Sequence, residues 1–436
     1  MRSDTRLSAL FDTLEAGPGF EQRGKVRGAI GTAIRVSGVT VRIGDICELA
    51  SPVGRHSLLA EVVGLSEHEA ILSPMGDLRG LSGETEVMVR VGEDRVPVSG
   101  ALLGRVLDAR LQPLDGRPPV ETPASQPLYA AAPNPMERQR IDRQVETGVR
   151  AIDGLLPLGR GQRIGVFAAA GGGKSTLLGT LARQARADVI VIALIGERGR
   201  EVREFIEDNL GSEGLARSVV IASTSDRPAL ERARAAHAAT AIAEGFRAEG
   251  KHVLLLMDSV TRFARALREI GLASGEPPVR RGFPPSVFAE LPRLFERAGC
   301  DARGEITGIY TVLLEEEEDD PVGEEVRSLL DGHVILSRKL AARGHYPAID
   351  ILVSQSRLMG QLMEEGERRA ALSFRAMLAK LDEIELLLQV GDYKPGQDAL
   401  ADRAIARRDE LDGFLRQSTH ETASLPMTRA ILRGFE

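Results

Sequence analysis

Residues 168–176 read Ala-Ala-Ala-Gly-Gly-Gly-Lys-Ser-Thr, a small-residue loop closed by a lysine and two hydroxyls. The run before it, Ile164-Gly165-Val166-Phe167, has the apolar character of a buried strand, and residues 177–186 have that of a helix. Strand, glycine loop and helix in that order are the context of a phosphate loop. In the stretch Ala170, Gly171, Gly172 and Gly173 the backbone can curl so that successive N–H groups point at phosphate oxygens. The helix that follows aims its positive end at the same place. Lys174 supplies a point charge for the β- and γ-phosphates and Ser175 a hydroxyl for Mg²⁺, and Thr176 is expected with them among the nucleotide-binding residues. The loop departs from the usual motif at its first position, where Ala168 stands in place of glycine.

A phosphate loop alone implies nucleotide binding; three further segments point to hydrolysis. His252-Val253-Leu254-Leu255-Leu256-Met257-Asp258 is an apolar run ending in a carboxylate. A buried strand that delivers an aspartate to its tip is how such folds reach Mg²⁺. Read alone, the same pattern also fits a strand followed by a helix N-cap. Glu197 follows a second apolar run, Val189 to Ile195, at a strand end where it can orient and deprotonate water. Its neighbours Arg200 and Glu201 read as a solvated loop of mixed charge. The third segment, residues 346–357, is a strand running into Ser354-Gln355-Ser356-Arg357. An arginine there serves either as an ion-pair partner within the chain or as a finger inserted into a neighbouring subunit's site. A finger is worth about 10³–10⁵ in rate.

The elements that must hold these groups follow from the pattern of the chain. At 436 residues, with 43% hydrophobic and 27% charged residues, it has material for two or three globular domains. Aromatics are 4% and tryptophan is absent, so the core is aliphatic. Leu7, Leu10, Phe11 and Leu14 give residues 1–17 an amphipathic helical stripe, broken at Gly17-Pro18-Gly19. From 24 to 98 short β-rich runs recur at 26–34, 39–43, 46–49, 58–63, 69–72 and 86–91, which predicts a small β-barrel. A Pro-rich connection spans 100–150. Then strand-like runs at 164–167, 189–195, 218–222, 252–257, 306–314 and 349–353 alternate with helical stretches such as 229–249. That alternation predicts an α/β domain with a mostly parallel, covered sheet. Beyond 360, Leu378, Leu381, Ile384 and Leu388, then Leu411, Phe414 and Leu415, keep helical spacing. The domains are therefore 1–23, 24–99, 100–360 and 361–436.

The same bulk features limit compartment and partners. Cys47 and Cys300 are far apart and predict neither a disulfide framework nor a metal pair, which fits a reducing cytosol. No apolar run approaches 18 residues, and Asp4, Arg6, Asp12 and Glu15 interrupt any signal-peptide core. A net charge of −7 argues against nucleic acid as a partner.

At these motifs the chain resembles the ATPases of type III protein secretion systems, which are close to flagellar export ATPases and more distantly similar to the α and β subunits of rotary ATP synthases. Residues 347–350 with Ser354-Gln355-Ser356 resemble the short signature of that superfamily, and Gly196-Glu197-Arg198 resembles the catalytic-glutamate segment of its active members. Residues 258–265, 275–278 and 280–288 resemble the stretch after the second nucleotide motif. The similarity runs from about residue 24 to about 410. It implies a RecA-like core between a β-barrel and a helical C-terminal domain, assembled as a hexamer that uses ATP and Mg²⁺. Position by position it implies Lys174 and Ser175 on phosphate and metal, Glu197 as general base, Asp258 on Mg²⁺ through water, Arg262 at the γ-phosphate and Arg357 as a finger in trans. Tyr393, in Gly391-Asp392-Tyr393-Lys394-Pro395-Gly396, takes the place beside the adenine. The implied partners are a negative regulator, a central stalk and chaperone–effector complexes, at the inner face of the membrane. The acidic run 315–320 departs from the family pattern.

Within that resemblance the loop sequence favours an injectisome over a flagellar system. The expectation is an ATPase that drives chaperone release, unfolding and export. A catalytic subunit of an ATP synthase is disfavoured by the loop and the C-terminal segment. A nucleic-acid translocase is disfavoured by acidic charge and the lack of an aromatic–basic stripe. A non-catalytic paralogue is disfavoured by Glu197.

Overall fold

The computed structural model describes residues 22–51, 57–90, 92, 94–169, 171–314 and 320–436. The amphipathic stripe of residues 1–17, Ala170 and residues 315–319 of the acidic run lie outside the described residues. Two compact units are distinguished: the residues up to Asp94 with Glu269–Glu276, and Arg95–Arg268 with Pro277–Glu436.

In the first unit six strands close into a barrel. Their spatial order is Gly24–Ile30, Ala33–Ser37, Ala70–Pro74, Ser57–Leu65, Ile46–Ala50 and Glu86–Arg90, the last pairing back to the first. All of these pairings are antiparallel. Alternation sets the inside: in Ala33–Ser37, Ile34 and Val36 are buried while Arg35 faces out. Cys47, Leu49, Val62, Leu72 and Val87 fill the interior with them. Two expectations are corrected. The run 26–34 is two strands, because Gly31 takes a φ of 60° and turns the chain into a hairpin between Ile30 and Ala33. The run 39–43 is not a strand; Arg42 N–H donates to Asp45 Oδ2 at 2.7 Å and Asp45 N–H to Arg42 O at 3.1 Å, closing a turn.

The second unit is built on a sheet of nine strands among the described residues. The path runs Ile349–Ser356, Gly332–Leu336, Arg163–Ala168, Glu305–Leu313, His252–Asp258, Val189–Ile195, Ser218–Ser223, Arg105–Leu107. Gly299–Cys300 lies off that path beside Glu305–Leu313. From Gly332–Leu336 to Arg105–Leu107 every neighbour is parallel, whereas Ile349–Ser356 runs antiparallel at its edge. Val189–Ile195 and His252–Asp258 are buried at every residue, which is why each reads as an unbroken apolar run. Helix Ala229–Ala248 packs on the strands Val189–Ile195, Ser218–Ser223 and His252–Asp258. Arg105–Leu107 proves to be a sheet strand inside the stretch expected as a connection. Gly332–Leu336, five residues long, was not visible as a strand in the sequence.

Beyond residue 360 the chain is helical as expected, with Glu365–Glu383, Glu385–Val390, Ala399–Ala406, Arg408–Leu415 and Leu425–Arg433. Phe374, Met377, Phe414, Leu432 and Phe435 belong to the same hydrophobic cluster as Ile164, Val166 and Leu177 of the phosphate-loop region. The ring centroids of Phe414 and Phe435 lie 5.1 and 4.8 Å from that of Phe374. Cys47 and Cys300 are buried and free. Among the described residues no helix is long and apolar enough to cross a membrane.

Candidate active site

Parallel strands place their carboxyl ends along one edge of a sheet, where ligands of such folds bind. Ala168, Ile195 and Asp258 all end strands on that edge, and Leu194 pairs in register with Asp258. The phosphate loop leaves from Ala168 and enters helix Lys174–Gln184 through Gly173. Gly173 has a φ of 82°, a left-handed conformation that favours glycine, and a Cβ there would lie in ordinary contact, 3.4 Å, with the ring of Tyr346. No side chain caps this helix, and Ser175 and Thr176 are exposed in its first turn. The N–H groups at its start are therefore available to an anion.

Lys174 reaches across the edge. Its Nζ donates to Asp258 Oδ1 at 2.5 Å and to Glu197 Oε1 at 3.3 Å. All three side chains are nearly enclosed. Burial disfavours the Lys174 ammonium, yet Asp258 and then Glu197 outweigh it and hold its pKa above the ordinary lysine value. Burial raises the Glu197 carboxyl above the usual glutamate range. Lys174 opposes that rise, while Asp258 and a hydrogen bond with Glu201 add to it. Glu201 is partly exposed and pairs with Arg198 at 3.4 Å, in keeping with the loop of mixed charge expected from the sequence. Arg200 is exposed and pairs with Glu204 at 3.5 Å.

Arg262 joins this group. It sits in the first turn of helix Val260–Ala273, with its N–H donating to Ser259 O at 3.1 Å. Its aliphatic stem covers Gly196, whose φ is 67° and where a Cβ would meet Arg262 Cβ at 3.1 Å. Arg262 Nε is buried without a hydrogen-bond partner among the described residues.

Two expected site residues are not brought to the loop. Arg357 follows Ile349–Ser356, whose antiparallel course begins level with Leu336 and Ala168 and ends level with Gly332. The strand bulges on the way, so the distance is set by its neighbour: the exposed Arg357 donates its N–H to Asp331 O at 3.1 Å, five residue steps of about 3.3 Å, roughly 16 Å, from Leu336 at the phosphate edge. It cannot complete its own chain's site from there. Tyr393 is also elsewhere: its hydroxyl donates to Asp402 Oδ1 at 2.9 Å, in the C-terminal helices. The cleft beside Gly173 is lined by Tyr346 and not by Tyr393. Tyr346, Pro347, Leu177 and the segment Gln417-Ser418-Thr419 line a narrow cleft beside Gly173. Gln417 N–H donates to Tyr346 O at 2.9 Å, and the Gln417 side chain bridges Arg150 N–H at 2.9 Å and Gly148 O at 2.6 Å. Arg183 donates to Thr419 O at 3.0 Å. A larger cavity of about 420 Å³ lies between the edge strand and the C-terminal helices, away from the loop.

The donor set fits Mg²⁺. Ser175 and Asp258 offer hard oxygen ligands, and among the described residues no group of three or more His, Cys, Asp or Glu forms a cage of its own. Mg²⁺ is held in this way when one or two protein oxygens are completed by phosphate and water.

Comparison with known proteins agrees with this architecture. The β-barrel domain of the ATP synthase alpha/beta family matches residues 26–89, its nucleotide-binding domain 148–356, and the T3SS EscN ATPase C-terminal domain 363–434. A type 3 secretion system ATPase of Xanthomonas euvesicatoria is 54% identical over 98% of this chain and 97% of its own length. A flagellum-specific ATP synthase of Bacillus subtilis is 45% identical over 99% of each. The assembled ATPase EscN of enteropathogenic E. coli superposes with a TM-score of 0.89, at 47% identity, over 94% of this chain and 99% of EscN. Its complex with the central stalk EscO gives 0.88 over the same shares.

Proposed function

The chain belongs to the type III secretion ATPases, a family with injectisome and flagellar members related to the α and β subunits of ATP synthase, and from that premise we propose that it powers protein export through an injectisome as a hexamer. It is a P-loop ATPase. The observation that carries the mechanism is the Lys174 ammonium held between Asp258 and Glu197 at the mouth of the loop.

The phosphates of ATP draw Lys174 off these carboxylates, while the N–H groups of Gly171, Gly172 and Gly173 and the helix start cradle the oxygens. Released from Lys174, Glu197 accepts the proton of the attacking water, a task suited to a carboxyl whose pKa burial has raised. Ser175 and Asp258 would hold Mg²⁺, which would supply positive charge to offset that of the phosphates. Arg262 faces the γ-phosphate, and Arg357 of one subunit completes the site of the next. Tyr346 lies where the adenine stacks.

The injectisome assignment is supported by 54% identity to the Xanthomonas secretion ATPase against 45% to the Bacillus flagellar enzyme. EscN has been captured assembled and with its central stalk EscO, so a stalk protein is the first partner proposed here. A negative regulator and chaperone–effector complexes follow from the same resemblance, the latter docking on the helices of 361–436 for release and unfolding. Residues 24–99 form the barrel division and 100–360 the ATPase division. The work is done in the cytoplasm, peripherally at the inner membrane. The test pairs phosphate release with cell assays of Lys174→Ala: loss of effector secretion with intact motility is expected. Loss of motility with intact secretion would move the chain to the flagellar branch.

A further inference from the structure

Asp258 has a second partner that no sequence motif announces. Thr311 lies on Glu305–Leu313, and the parallel register Met257↔Tyr310 brings it level with Asp258. Its side chain is fully buried, and its hydroxyl donates to Asp258 Oδ1 at 2.8 Å. That oxygen is the one that accepts Lys174 Nζ. Thr311 Oγ1 also lies 3.3 Å from Met257 O. A hydroxyl has one proton to give, and the shorter bond to an ionised acceptor is the stronger of the two.

The terminal torsion of an aspartate is broad, so its direction is set by what its oxygens bind. In this structure Lys174 and Thr311 share the task. On the ATPase reading above, Lys174 turns to phosphate when nucleotide arrives, and one of the two donors is lost. We propose that Thr311 is a positioning residue that keeps Oδ1 anchored through that exchange, so that the second oxygen of Asp258 keeps a fixed direction toward the Mg²⁺ site. A merely structural threonine would use its hydroxyl to satisfy Met257 O, and its loss would leave metal-dependent binding unchanged.

The test is equilibrium binding of a fluorescent ATP analogue, with Mg²⁺ and with EDTA, to the full chain and to Thr311→Val, Thr311→Ala and Thr311→Ser. Thr311→Val and Thr311→Ala should bind in EDTA within about twofold of the parent but lose about tenfold of the tightening that Mg²⁺ brings. Thr311→Ser should keep it. In turnover, kcat should fall about tenfold in the Val and Ala variants with KM for ATP moving less than threefold. Measuring both variants guards against a folding defect in one, and melting curves report such a defect directly. The idea is overturned if Thr311→Val keeps the full Mg²⁺ effect, or if Thr311→Ser loses as much as Thr311→Val. Should the parent itself show no Mg²⁺ effect, the reading of Ser175 and Asp258 as the metal site fails instead.

Discussion

Lys174 Nζ stands 2.5 Å from Asp258 Oδ1, an ion pair between residues 84 positions apart that spans the carboxyl edge of the sheet. Glu197 approaches the same ammonium, so one cation neutralises two enclosed carboxylates. The pair gives the phosphate-binding lysine a defined position before any phosphate arrives.

Removing that cation should have two effects. Lys174→Ala should weaken ATP binding and lower turnover by about 10²–10³, the scale of other lost charge-stabilising groups. It should also destabilise the nucleotide-free protein, because a buried charge left unpaired costs about 3–5 kcal/mol. The cost here should fall at or below the low end, since Glu197 can take up a proton. Adding Asp258→Asn should return part of the lost melting temperature. Calorimetry of the single and double variants decides; an unchanged melting temperature in Lys174→Ala would show that the pair contributes nothing to stability.

Glu197→Gln should bind ATP with near-parental affinity and lose about 10²–10⁴ in kcat, the usual contribution of a positioned base. Its pH profile gives an independent check. The base acts ionised, and burial raises its pKa above that of an ordinary glutamate. Activity should therefore fall as pH drops through that raised value, at higher pH than a solvated carboxylate would dictate. Phosphate release measured between pH 4 and 9 should show this acid limb in the parent. Residual activity of Glu197→Gln should lack it. An identical limb in the Gln variant would assign the titration to another group.

The loop, Glu197 and Asp258 were legible because each depends on local order: an apolar run, then a special residue at its tip. Parallel neighbours put all such tips on one edge, so reading three strands was enough to assemble the site. Direction was not legible. Residues 349–353 read as a strand, but periodicity is the same for either sense, and only the pairing of Leu336 with Ile349 shows that Arg357 travels away from the loop. The cleft beside Gly173 was hidden for another reason. It joins Leu177, Tyr346 and Gln417, which no motif links, through backbone bonds such as Gln417 N–H to Tyr346 O. In the barrel, Gly31 inside a β-rich run is a hairpin turn, which apolar character alone does not reveal.

That direction makes a prediction about assembly. Because Arg357 is exposed and remote from its own loop, any catalytic work it does serves a neighbour. Specific activity should climb with protein concentration as the oligomer forms. Arg357→Ala should lose about 10³–10⁵ in kcat if it acts as a finger. Mixing it with Lys174→Ala should restore some turnover, since one interface then joins an intact loop to an intact arginine. Flat specific activity across the monomer–oligomer transition, with no rescue on mixing, would remove Arg357 from catalysis.

The last prediction separates two tyrosines. Tyr393 was expected beside the adenine, but its hydroxyl is committed to Asp402, and its loop belongs to the C-terminal helices. Tyr346 is half-exposed, and its ring lies where a Cβ on Gly173 would touch it, so a base leaving the phosphate loop on that side meets Tyr346 first. Stacking of a base on an aromatic ring is worth about 1–3 kcal/mol. Tyr346→Ala should therefore raise KM for ATP by roughly 5- to 150-fold, with a smaller change in kcat, because base binding acts alike on ground and transition states. Tyr346→Phe should stay near the parent, since the ring and not the hydroxyl does the stacking. Tyr393→Ala should leave KM unchanged. Steady-state kinetics on the three variants decides between the sites: a raised KM in Tyr393→Ala with a parental value in Tyr346→Ala would return the adenine to the C-terminal loop.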